Sequence, residues 1–257
     1  MKLRRAARRR LKAVAITTAA VLVAGAAIGG AVLASGPQNP PQASEKVAEF
    51  YEANKGLPEK IEPLDAVFIG DSYTYGFGAP KPQRWSSAVA RHYGWAEHNF
   101  GFGGTGYKTA SGIDRCHLAS CPAYPESVGK IAADIGPEYV IVAGGRNDSI
   151  ADVGAWGTAV DQTFSMIRQR FPKATILALN PIAENEQIVA GKAAAVKAAV
   201  ERVRGHYIDI GQPVMGKLDL LSSDKVHPNA KGYLAISRAF IAKCPETVCK
   251  RTPSAGF

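Results

Sequence analysis

The feature that most constrains this chain is an apolar run, Ala66-Val67-Phe68-Ile69, that stops abruptly at Gly70-Asp71-Ser72. A buried strand of a parallel sheet ends this way when it hands a polar residue to the rim, although an ordinary turn uses the same residue types. Four more strand-like runs follow the first, at 64–69, and fall at 95–100, 139–143, 175–179 and 207–210. Helical patterns at 85–93, 126–135, 157–170, 184–204 and 229–243 follow these runs in turn, and residues 101–124 read as a long glycine-rich loop. Strands alternating with helices at this spacing predict right-handed crossovers and a parallel sheet covered on both faces. The 257 residues suffice for one such α/β domain.

Charge is unevenly placed. Of 31 basic residues seven lie in residues 1–34, where there is no acid, leaving 24 basic against 22 acidic residues elsewhere. The formal charge of +9 therefore belongs to the amino-terminal segment, and the remainder, being nearly neutral, predicts no nucleic-acid partner. The seven charges precede Ala13 to Leu33, 21 residues without a charge. A basic head before an apolar segment reads as an export signal. Its mild hydropathy and Val32-Leu33-Ala34 favour cleavage before Ser35. An uncleaved helix attaching the protein to a membrane through residues 13–33 is the alternative. Either way the working domain lies outside the cytoplasm, extracellular or in the cell envelope. Residues 35–44 are rich in proline and glutamine and read as a stiff linker, with a short helix at 44–54, and the domain is expected over 45–257.

Four cysteines in two equal spacings fit an exported chain. Local bridges, Cys116–Cys121 and Cys244–Cys249, are the expected connectivity. A four-cysteine zinc site competes, and export and the lack of histidine near the second pair count against it.

Loops after parallel strands share one rim, so distant residues meet there. Ser72, Gly104, Asn147 and His227 each fall after a strand. Acyl transfer needs a hydroxyl, a base, a carboxylate to orient the base, and donors for the oxyanion.

Gly70-Asp71-Ser72, Asn99-x-Gly101-x-x-Gly104, Gly145-x-Asn147-Asp148 and Asp224-x-x-His227-Pro228 stand in this order across residues 65–240. Together they resemble the four sequence blocks of SGNH (GDSL-type) hydrolases. That resemblance implies a three-layer flavodoxin-like fold with a five-stranded parallel sheet of order 2-1-3-4-5. It implies an esterase or related acyl hydrolase that uses no cofactor or metal and acts on a small-molecule or cell-envelope ester. By the same resemblance Ser72 is the nucleophile, His227 the base and Asp224 its orienting carboxylate. The Ser72 and Gly104 amides and the Asn147 side chain would form the oxyanion hole. Tyr73 stands where the family's short name has Leu, a departure that touches substrate choice, and Arg146 could meet an anionic substrate; both are candidate substrate-binding residues.

Several competitors stand beside this reading. Asp114-x-x-His117 repeats the Asp-x-x-His spacing inside the cysteine loop, without the following proline. His92, His98 and His206 read as packing or surface residues. Gly101-x-Gly103-x-x-Gly106 matches a dinucleotide fingerprint, but that motif requires a helix to begin there, and residues 107–112 do not read as one. Thr74 occupies the last place of Gly-x-Ser-x-Gly, so an α/β-hydrolase elbow is absent. An acyltransferase to glycan, and a noncatalytic or nucleotide-binding flavodoxin-like module, remain as alternative functions. Asp71 and Asp148 are expected to hold structure, and the aromatics Tyr75, Phe77, Phe100, Phe102 and Tyr107 to divide between core and pocket.

Overall fold

A computed structural model describes residues 62–112 and 119–252 of the protein. The segments read from sequence as an export signal, a linker and a helix at 44–54, together with Cys116 and His117, lie outside these residues.

The central sheet has five parallel strands: β1 Asp65–Gly70, β2 Ala96–Gly101, β3 Tyr139–Ala143, β4 Thr175–Leu179 and β5 His206–Ile208. Their spatial order is β2-β1-β3-β4-β5, the order expected from the sequence blocks. The chain reverses its direction of winding between β1 and β3. At such a switch point the loops after neighbouring strands diverge and leave a crevice at the carboxyl rim.

Strand period decides which side chains enter which layer. From β1 and β3, Phe68 and Ile141 face one side, where α2 (Trp85–Tyr93) and α7 (Ala230–Lys243) cover them with Trp85, Val89, Ile236 and Phe240. Val67, Ile69, Val140 and Val142 face the other. There α3 (Tyr124–Lys130), α4 (Val153–Arg170) and α6 (Ala193–Arg202) supply Val128, Trp156, Phe164 and Val200. Both faces of the middle strands are therefore dry, which is why they read as unbroken apolar runs.

Two elements differ from expectation, the first being the helix predicted over 126–135, which runs from Tyr124 to Lys130 and stops where Ile131 turns extended. The second, the helix predicted over 184–204, is two helices, α5 (Glu186–Val189) and α6, separated at Gly191. Gly191 adopts φ +75°, a left-handed value that ends a helix cheaply at glycine. The break also lets Lys192, 3% exposed, turn inward. The Ala-rich pattern on both sides conceals this stop. A four-residue helix, α1 (Ser72–Tyr75), begins directly after β1, too short for periodicity to reveal. Asn229, expected as the first residue of α7, is its cap, accepting from the amides of Lys231 and Gly232.

Cys244 and Cys249 are joined, with Cα atoms 5.9 Å apart. This excludes both from a zinc site. Cys121 is also disulfide-bonded, and its expected partner lies outside the described residues. The Cys244–Cys249 bridge closes the turn that carries residues 248–252 across the amino ends of the strands. There Tyr139 Oη donates to Val248 O at 3.1 Å, Trp95 Nε1 to Lys250 O at 2.9 Å, and Leu64 N to Thr252 Oγ1 at 3.2 Å. So short a loop stabilises by about 2 kcal/mol in the chain-entropy account. A Cys244→Ala/Cys249→Ala variant should lose roughly that amount in urea titration and keep its catalytic rate, because the bridge lies at the rim remote from the carboxyl ends. Among the described residues no helix is long and apolar enough to cross a membrane.

Candidate active site

Asp71 begins the site by ending the strand. Its backbone is extended, and its Oδ1 accepts the Tyr73 amide at 2.9 Å, which starts α1 and sets Ser72 at the first helical position. Gly70 allows the turn to tighten: a Cβ there would run into Thr74 Oγ1 and the Ala143 carbonyl. Asp71 is 2% exposed. Burial pushes its carboxyl up to about 7, against the opposing pull of the Tyr73 amide and the Arg146 charge. A carboxyl raised in the folded state contributes stability below its unfolded value of 3.8 and loses it as pH rises through about 7. Asp71→Asn keeps an acceptor for Tyr73 and does not ionise. Relative to wild type, this variant should gain stability between pH 4 and pH 7.5, by an upper bound of about 4 kcal/mol. Urea melts of both proteins across that range measure the difference; a constant difference would show that Asp71 does not titrate there.

Three side chains then line up. Ser72 Oγ lies 2.9 Å from His227 Nε2, and His227 Nδ1 lies 2.6 Å from Asp224 Oδ2. With Nδ1–H donated to the carboxylate, Nε2 carries the lone pair and accepts the serine hydroxyl. The other carboxylate oxygen of Asp224 accepts the amides of Val226 and His227, each at 2.9 Å, and the Ser222 hydroxyl at 2.8 Å. Burial alone would raise this carboxyl, yet the His227 ring, these two amides and the hydroxyl together hold it well below the usual carboxylate range. The loop is closed by Ser222 N donating to His227 O at 2.8 Å, with Lys225 at φ +56° making the turn. Sequence block four is thus one self-bonded loop that fixes both the carboxylate and the ring.

The Asp114-x-x-His117 competitor lies outside the described residues. His98 pairs with Asp65 at 2.7 Å at the amino end of the sheet, and His92 contacts Arg251. His206 is exposed. None of these three reaches Ser72.

The remaining predicted groups surround the serine. Ser72, Gly104, Arg146, Asn147, His227 and Phe77 line a cleft of about 280 Å³. Gly104 takes φ +75°. Among the described residues no acceptor takes the amide of either Ser72 or Gly104. Asn147 Nδ2 donates to Thr105 O at 2.8 Å and keeps a second hydrogen. Asn99 braces the loop from beneath, donating to Thr74 O at 2.8 Å and accepting from Gly101 N at 3.0 Å. No helix begins at Gly106 within residues 102–112, so the dinucleotide fingerprint lacks its second half. The Asp148 carboxylate occupies that turn instead, accepting from the amides of Tyr107, Lys108 and Thr109 at 2.8–3.0 Å.

Tyr73 is not at the cleft wall. It is 2% exposed, and its hydroxyl donates to Val226 O at 2.6 Å, joining the serine helix to the histidine loop. Phe77 and Tyr75 are the exposed aromatics: the Phe77 ring lies 5.2 Å from that of His227 and 5.6 Å from that of Tyr75. Arg146 is committed to Glu184, Nε to Oε2 at 3.0 Å and Nη2 to Oε1 at 2.5 Å.

Two groups escaped the sequence reading. Glu184 follows β4 and was absorbed into a predicted helix. Lys192, from the break after α5, donates to the carbonyls of Gly145 at 2.7 Å and Asp148 at 2.6 Å, clamping the loop that carries Asn147. Burial pulls its ammonium below the ordinary lysine value. The one signal was Gly191, a helix breaker within an Ala-rich run.

The sheet of order 2-1-3-4-5 is flavodoxin-like, and a serine and a histidine face each other at its switch point. The chain belongs to the GDSL-like Lipase/Acylhydrolase family, whose model matches residues 68–235. It is similar in fold to several solved structures. One is a family two carbohydrate esterase from Clostridium thermocellum in complex with cellohexaose, at 18% identity and a TM-score of 0.57, covering 70% of this chain and 64% of that one. Another is a carbohydrate esterase family 2 enzyme with a carbohydrate binding domain from Corynascus thermopiles, at 20% identity and a TM-score of 0.54, covering 72% and 67%. A carbohydrate acetylesterase family member from Sinorhizobium meliloti has 16% identity and a TM-score of 0.52, covering 68% and 94%. No curated protein sequence matches the chain.

Proposed function

We propose that the protein is an exported serine esterase that removes short acyl groups from carbohydrate through a Ser72–His227–Asp224 triad and an acyl-enzyme. The observation that carries this reading is the relay of 2.9 and 2.6 Å from Ser72 through His227 to Asp224. Ser72 Oγ attacks the ester carbonyl as His227 Nε2 takes its proton. Asp224 stabilises the imidazolium, and the Ser72 and Gly104 amides with Asn147 Nδ2 hold the oxyanion. Collapse breaks the carbonyl–alkoxy bond, and the departing alcohol takes the proton from Nε2. Water, deprotonated by the same nitrogen, then attacks the Ser72 ester, releasing acid and restoring the hydroxyl.

The substrate class is supported by the cleft's small volume and by the exposed Tyr75 and Phe77 beside His227, aromatic faces on which a sugar ring can stack. The carbohydrate esterases among its structural neighbours agree with that class. Export is supported by the basic head before an uncharged run and by the Cys244–Cys249 bridge, which oxidising compartments preserve.

The test uses purified residues 35–257. Hydrolysis of p-nitrophenyl acetate well above the octanoate, labelling of Ser72 by a fluorophosphonate, and acetate release from an acetylated polysaccharide would support the proposal. Preference for long chains would redirect it to lipid, and acyl transfer to added glycan in place of acetate release would make the protein a transferase. No labelling and no turnover would remove the enzymatic reading.

A further inference from the structure

We infer that Arg146, held by Glu184, is a positioning residue that fixes which way the Asn147 amide points and so aims an N–H at the oxyanion. The inference rests on the reading of Asn147 as an oxyanion donor.

An asparagine amide presents a donor on one side and an acceptor on the other, and a half-turn about its last bond exchanges them. Asn147 can serve the oxyanion only in one of the two settings. In the structure its Nδ2 donates to Thr105 O at 2.8 Å, while Arg146 Nη1 lies 3.4 Å from its Oδ1. The second contact is long, but it has a fixed sign. Turning the amide over would set its NH2 against a guanidinium and its oxygen against a carbonyl, two repulsions in place of two attractions.

For this to work Arg146 must itself stay still. Its Nε and Nη2 form a two-pronged pair with Glu184, and the side chains are only 16% and 12% exposed. A guanidinium held at two nitrogens has a fixed plane, so the position of the third is determined. Both prongs are spent on Glu184, which leaves Nη1 as the nitrogen facing Asn147. The opposite partner is equally fixed: Thr105 is fully buried, and its hydroxyl donates to Phe102 O at 2.7 Å. The amide therefore sits between two immobile partners that agree on its setting.

Removing Arg146 alone would bury an unpaired Glu184, so the test variant is Arg146→Met/Glu184→Gln, with circular dichroism to establish folding. On p-nitrophenyl acetate, a neutral ester, kcat should fall about tenfold with KM within about twofold. The same pair of changes placed on Asn147→Ala should cost nothing further, because there is no amide left to orient. Arg146→Lys, which keeps charge but loses the fork, should also lower kcat.

A loss of the same factor in both backgrounds would mean a general structural role and overturn the inference. So would an unchanged kcat, or a rise in KM confined to an anionic ester such as mono-p-nitrophenyl succinate, which would make Arg146 a substrate contact. If Asn147→Ala itself keeps full kcat, the oxyanion reading has failed before Arg146 is tested.

Discussion

Ser72→Ala, His227→Ala and the double variant should each lose kcat by about the same factor, on the order of 10⁵–10⁶, with no further loss on combination. The 2.9 Å contact is the reason: the serine is a weak nucleophile until its proton moves to Nε2, and every later proton transfer at that nitrogen needs the Ser72 adduct to have formed first. Removing either group stops the same step, so the second removal finds nothing left to disable. Fluorophosphonate labelling should vanish in Ser72→Ala. His117→Ala should remain near wild type. Asp224→Asn should cost less than either, since the Val226 and His227 amides still hold the loop while the ring loses its anionic partner. Steady-state kinetics on p-nitrophenyl acetate decides the matter. Additive losses from Ser72 and His227, or an inactive His117→Ala beside an active His227→Ala, would dismantle the assignment.

The second large effect is expected at Asn147. Asn147→Ala should fold normally and lose about 10²–10³ in kcat, roughly 2.7–4 kcal/mol, with KM changed far less. The amide meets Thr105 O through one hydrogen, which leaves the other for a charge that exists only in the transition state. Asn147→Asp should do at least as badly. Its shape is almost unchanged, but an oxygen would replace the nitrogen opposite the Thr105 carbonyl, and its charge would oppose the developing oxyanion. A folded Asp variant with full kcat would make Asn147 a turn residue.

Much of this site was legible in sequence because its parts are turn residues at strand ends. The strand at Tyr139–Ala143 is an unbroken apolar run and the helix at Trp85–Tyr93 is periodic; Ser72, Gly104 and Asn147 each follow a strand within four residues, and His227 stands three residues before α7. Asp224 and His227 were readable for a local reason, since their loop bonds mainly to itself. What escaped depends on tertiary partners. Glu184 means nothing until Arg146 arrives from another strand. Lys192 resembles any helical lysine until Gly191 breaks the helix and turns it toward two carbonyls. Tyr73 was read as a candidate substrate-binding residue because it stands where the family's short name has Leu, directly after Ser72. A four-residue helix turns it away from the cleft, where its hydroxyl finds Val226.

The pairing of Leu64 with Thr252 brings the two ends of the described domain side by side, at the rim remote from Ser72. The strand between them, at about 3.3 Å per residue, sets that rim roughly 20 Å from Ser72. This is the geometry that tolerates circular permutation: a short bridge can join Thr252 to Leu64, whose amide already donates to the Thr252 hydroxyl, and new ends can be cut at an exposed loop tip. It also suits immobilisation, because a resin or fusion partner attached at Thr252 meets the protein at the rim opposite the Ser72 cleft.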